Sequence, residues 1–112
     1  MPDDDRGEWT VYLTWRLDQP WDPGDLDALA RELPGRPCVQ DPTDAAGRVA
    51  VVSLELAAAD EEDAVRAARA AVLAVLRPRG LRGRALEAVV RTGGAARSFD
   101  RDALARLTPP PP

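Results

Sequence analysis

The chain has 112 residues, 45% of them hydrophobic, with 15 basic against 19 acidic side chains and a net charge of −4. It contains no His, Lys, Asn or Ile, all its basic residues are Arg, and Cys38 is its one cysteine, which excludes a His general base, a Lys Schiff base, a Cys–His dyad and a zinc site. The acidic balance argues against a nucleic acid as the main partner, because neutralising phosphates takes a basic face.

The length implies one domain able to bury a core without disulfides or metal. Residues 1–8 read as a disordered acidic tail (Asp3, Asp4, Asp5) and not as a signal peptide. The next segment, residues 9–17, alternates strictly: Trp9, Val11, Leu13, Trp15 and Leu17 point one way, and Thr10, Tyr12, Thr14 and Arg16 the other. That is a half-buried strand. Residues 22–33 carry a full set of helix-start signals, with Asp22 as the cap, Pro23 at the first helical position and Asp25 three residues past the cap. Trp21 and Leu26 take the hydrophobic-staple positions, and Pro34 and Gly35 stop the helix.

A short, weak strand is expected at residues 36–41, then a hairpin loop, then a strong strand at 48–56. Residues 60–77 form the clearest helix: Asp60 caps it, Glu61, Glu62 and Asp63 load its first turn, and Arg77, Arg79 and Gly80 follow at its end. The run 67–76 is broken by Arg69 and is far too short to span a bilayer. A last strand is expected at 84–92, with Leu86, Ala88 and Val90 inward and with Gly93 and Gly94 ending it. Residues 93–108 read as a linker and a short helix over 100–107, and 109–112 as a proline tail.

The order strand–helix–strand–strand–helix–strand, with right-handed crossovers, predicts a ferredoxin-like two-layer α+β sandwich over residues 9–92. Its antiparallel sheet takes the order 4-1-3-2, with two helices on one face and a short C-terminal helix outside it. The opposite sheet face is left open. It is expected to carry Thr10, Tyr12, Thr14, Arg16, Val49, Val51, Ser53, Glu55, Ala85, Glu87, Val89 and Arg91. Tyr12, Val49, Val51 and Val89 form its apolar centre, with Arg16, Glu55 and Arg91 as charges around it, and this patch is the candidate interface.

This residue set excludes several functions associated with such a topology. The third strand has no aromatic side chain for stacking RNA bases. The loop after the first strand, residues 18–22, lacks the cysteine pair of a metal chaperone, and a phosphatase of the acylphosphatase kind needs the Asn that is missing. The carboxylates of residues 3–5 and 60–63 do not have the spacing of a calcium loop. No metal site and no cofactor is expected.

The segment Asp22-Pro23-Gly24-Asp25-Leu26-Asp27-Ala28-Leu29, between first strand and first helix, resembles the D-x-P-G-L-L turn of ACT-type regulatory domains, with Asp25 where that family carries an apolar residue. The resemblance implies amino-acid sensing at the helix N-terminus, with Asp22, Gly24 and Asp25 at the ligand. More broadly the chain resembles small stand-alone ferredoxin-like domains of high-GC bacteria, whose alphabet it shares. The reading adopted is a cytoplasmic, non-enzymatic interaction or regulatory module. Its partner is a second copy of itself or another protein, with no nucleic acid and no membrane, and it acts through the open sheet face. The alternatives are a small dimeric oxygenase- or cyclase-type enzyme with a pocket between helices and sheet beside Trp15 or Trp21, and the ACT-like sensor.

Overall fold

A computed structural model describes residues 7–107. In chain order the elements are β1 (Gly7–Leu17), α1 (Pro23–Glu32), β2 (Cys38–Gln40), β3 (Val49–Ala58), α2 (Glu61–Leu76), a 3-10 turn (Arg77–Arg79), β4 (Gly83–Thr92), β5 (Ala95–Phe99) and α3 (Arg101–Leu107). The proline tail and residues 1–6 of the acidic tail lie outside the described residues, while Gly7 and Glu8 belong to β1.

The expected four-stranded 4-1-3-2 ferredoxin-like sandwich with two helices is corrected. The fold is α+β, but its sheet is five-stranded and antiparallel throughout, in the order β2-β3-β1-β4-β5. Gly93 and Gly94 do not end the sheet. They turn a two-residue hairpin, with Gly93 at φ 52°, so that Thr92 faces Ala95 and the chain returns along β4 as β5. A Gly-Gly pair suits such a turn because it takes positive φ without a Cβ penalty. α3 then joins the helix layer. Asp100 Oδ1 accepts the Ala103 N–H at 2.8 Å, and two α2 side chains reach its far end: Arg66 Nε donates to the Leu107 carbonyl at 2.8 Å and Arg69 Nη1 to the Leu104 carbonyl at 3.2 Å. Cations at a helix C-terminus satisfy its orphan carbonyls.

The core lies between the sheet and three helices. β1 contributes Val11, Leu13, Trp15 and Leu17, β3 contributes Ala50, Val52 and Leu54, and β5 adds Phe99. α2 supplies Ala64, Val65, Ala68, Val72, Val75 and Leu76, while α1 supplies Ala28 and Leu29 and α3 supplies Leu104 and Leu107. Each large aliphatic side chain so buried contributes roughly 1.5–3 kcal/mol. Both long helices start as their sequences dictate: Asp22 Oδ2 accepts the Gly24 N–H at 3.1 Å and Asp60 Oδ1 the Asp63 N–H at 2.8 Å. The carboxylates of residues 60–63 therefore serve the α2 N-terminus. Among the described residues no helix is long and apolar enough to cross a membrane.

A second correction concerns register. Thr14 faces Glu87, but Trp15 faces Ala85, so Leu86 is an extra residue in β4. This β-bulge shifts the alternation. Ala85, expected on the open face, is buried, whereas Leu86, expected inward, is half-exposed and outside the core. The shift also brings Arg84 opposite Arg16.

Candidate functional site

The face of the sheet opposite the helices is built in rows across the strands. One row runs Glu55, Thr10, Arg91 and Ala96. The next runs Cys38, Ser53, Tyr12, Val89 and Ser98, and the one after it Gln40, Val51, Thr14 and Glu87. The last holds Val49, Arg16 and Arg84. All seven sequence-predicted interface residues thus share one face. Tyr12, Val49, Val51 and Val89 are half-buried, and Arg16, Glu55 and Arg91 are exposed. The fifth strand extends the face by Ala96 and Ser98, and β2 adds Cys38 and Gln40; none of the four was expected there.

Two features flank the centre. At the start of β1 a shallow cleft of about 310 Å³ is lined by Glu8, Trp9, Thr10, Tyr12, Glu55 and Arg91, with Thr92 and Gly93 at its edge. Glu55 and Arg91 stand on either side of Thr10, on β3 and β4. Among the described residues neither makes an ion pair with the other or with anything else. The position of Glu55 is held from the edge of the sheet: its backbone N–H donates to the Gly35 carbonyl at 2.7 Å. Gly35 has φ +78°, and a Cβ there would strike the Glu55 carbonyl, so the turn after α1 can lie against β3 only as glycine.

At the opposite end, where β1 stops and β3 and β4 begin, Arg16, Asp18, Arg48, Arg82, Gly83 and Arg84 line a notch of about 470 Å³. Backbone hydrogen bonds fix this corner: Leu17 N–H donates to the Arg48 carbonyl at 3.0 Å and Asp18 N–H to the Arg82 carbonyl at 2.9 Å. Gly83 faces Leu17, and a Cβ on it would overlap the Arg16 carbonyl, so the strands approach closely there. Nearby, the Asp44 carboxylate accepts the Val49 N–H at 3.0 Å and the Arg48 N–H at 3.1 Å. Those two amides hold its carboxyl below the usual carboxylate value. Asp44 is therefore engaged by backbone and not by the Arg48 guanidinium.

The sequence missed this arginine corner. Parity along an unbroken strand puts Arg84 on the core side, and only the bulge turns it to the face of Arg16. The arginines come from the end of β1 and from the entries to β3 and β4, which are far apart in the chain, so their convergence is a product of topology.

The turn that resembles the ACT-type motif is placed differently from the sheet face. Asp22 and Gly24 form the cap itself. Asp25 is buried, and its Oδ1 accepts from Arg79 Nε at 3.0 Å, linking α1 to the turn after α2. Its carboxylate has a partner within the fold. Trp15 and Trp21 belong to the core and line neither the cleft nor the notch. No protein-family model, no curated protein and no solved structure matches this chain.

Proposed function

We propose that this chain is a non-enzymatic interaction module that forms a homodimer by packing two open sheet faces together. The observation that supports the reading is the placement of Glu55 and Arg91, charges of opposite sign that are unpaired among the described residues, one strand to either side of β1 and one row from the half-buried Tyr12 and Val89, with Val51 a row further on. A two-fold axis running along β1 between two stacked sheets exchanges the β3 side for the β4 side. Glu55 of one copy then faces the partner's Arg91, twice by symmetry, Tyr12 meets its own copy on the axis, and Val51 and Val89 lie to either side of it. Such an isologous contact uses the same patch on both copies. Sheets packed face to face sit about 10 Å apart, and a stable dimer buries about 800 Å² per partner, on the order of one face of a small sheet. The apolar strip supplies the drive and the charge pairs set the register.

Sedimentation velocity tests this reading. The wild-type chain is expected to sediment as a dimer, and Val51→Asp, which sets a charge in the apolar centre, as a monomer with an unchanged circular dichroism spectrum. A wild-type chain that stays monomeric at high concentration contradicts it.

A further inference from the structure

We infer that the notch at the end of β1 is a binding site for a compact, multiply charged phosphate anion: the phosphate chain of a nucleotide or a free oligophosphate. Arg16, Arg48, Arg82 and Arg84 line it, against the single carboxylate of Asp18. None of the four makes an ion pair among the described residues, although acidic side chains outnumber basic ones by 19 to 15 in the chain. Elsewhere the fold does pair its arginines with carboxylates, as with Arg66, Arg79 and Arg97.

Two observations turn a cluster of charges into a site. The first is the bulge. Arg16 and Arg84 face each other directly across β1 and β4, an arrangement that repels. It exists only because Leu86 is inserted; a regular ladder continuing from Thr14 and Glu87 would set Ala85 opposite Arg16 and relieve the repulsion. Bulges that re-aim a side chain next to a working site are a known use of the device. The second is Arg48. It lines the notch, and its Nε, itself shut off from solvent, has no hydrogen-bond acceptor among the described residues, so no group of the fold engages this guanidinium.

The chemistry of the lining selects the ligand. Planar guanidinium groups bind phosphate oxygens in pairs, and several of them at one corner match an anion with several charges close together. The volume, about 470 Å³, lies in the range of small-molecule sites. No aromatic or large apolar side chain lines the notch, so recognition rests on the phosphates and not on a base. Arg16 and Arg84 also stand in the last row of the open face, but Arg48 and Arg82 do not belong to its rows, so Arg48→Gln tests the notch apart from the dimer.

The test is calorimetric titration at low salt with inorganic tripolyphosphate, adenosine triphosphate and a single-stranded oligonucleotide, on the wild-type chain, Arg48→Gln, Arg84→Gln and the control Arg31→Gln. Tripolyphosphate and adenosine triphosphate are expected to bind within a few-fold of each other, with affinity falling as salt is added. Arg48→Gln and Arg84→Gln are each expected to weaken binding about tenfold or more, and Arg31→Gln to leave it unchanged. Arg84→Gln is also expected to raise the melting temperature of the ligand-free chain by removing the repulsion, a readout that a merely structural arginine would move the other way. The inference is overturned if tripolyphosphate does not bind, if only the nucleotide or only the oligonucleotide binds, or if Arg31→Gln weakens binding as much as the notch variants. It is overturned equally if Arg84→Gln lowers the melting temperature and leaves tripolyphosphate affinity as it was.

Discussion

Asp25 and Asp44 show how single carboxylates set the local stability of this fold. Asp25 is 8% exposed and its partner Arg79 lies across the molecule's helix layer, so the pair ties α1 to the turn that follows α2. Removing Arg79 leaves a carboxylate largely shielded from water without its cation. Arg79→Ala is expected to lower the unfolding free energy in urea by about 1–2 kcal/mol, whereas Arg31→Ala, whose i,i+4 pair with Asp27 is well exposed, is expected to change it by no more than about 0.5 kcal/mol. Asp44 acts through pH. Hydrogen bonds first from Val49 and then from Arg48 hold its folded carboxyl below its usual 3.8, so the folded state favours the charged form. The stability this contributes is fully present above the unfolded value and is lost as pH falls through the folded one. Urea midpoints measured downward from pH 5 are expected to fall more steeply for the wild-type chain than for Asp44→Asn. Equal slopes would show that the carboxylate does not anchor the loop that enters β3.

At the scale of elements, the chain states its local structure openly and hides its long-range structure. The alternation of residues 9–17 and the caps Asp22 and Asp60 can be read directly, because a strand face and a helix start are each decided by a few neighbouring side chains. β5 is a different case. Of Ala95, Ala96, Arg97, Ser98 and Phe99, only Phe99 is buried, so no apolar alternation marks the strand, and the Gly93–Gly94 pair that makes its hairpin reads equally well as an end. The bulge at Leu86 leaves no composition signal, and with it the arginine corner stays out of sight. The apolar sheet face was legible because parity alone assigns it wherever the ladder is regular. Phe99 checks the status of β5. It is 1% exposed, with the Arg97 guanidinium 4.6 Å from its ring centroid on the same strand. If β5 is an integral strand, Phe99→Ala costs about 3–5 kcal/mol in urea unfolding, the range of a large cavity in a core; a loss under about 1 kcal/mol would mark β5 and α3 as an appendage. Gly83→Ala is expected to cost about 1–3 kcal/mol, because the Cβ would overlap the Arg16 carbonyl and push β1 and β4 apart there.

On the scale of the whole molecule, the helices cover one face of the sheet and leave the other to the solvent or to a partner. That open face separates into an apolar centre, a cleft flanked by Glu55 and Arg91, and an electropositive corner at the far end. The dimer proposed for it makes a geometric demand that burial alone does not: Glu55 and Arg91 must meet across the two-fold axis and not merely lie near the interface. Sedimentation of charge-reversed variants measures this directly. Glu55→Arg alone sets two cations against each other at each of the two symmetric contacts, and Arg91→Glu alone sets two anions there. Both single variants are expected to sediment as monomers or as much weaker dimers. The double variant, Glu55→Arg with Arg91→Glu, restores both pairs in reverse and is expected to return to the wild-type dimer. A double variant no better associated than either single one would contradict the proposed dimer.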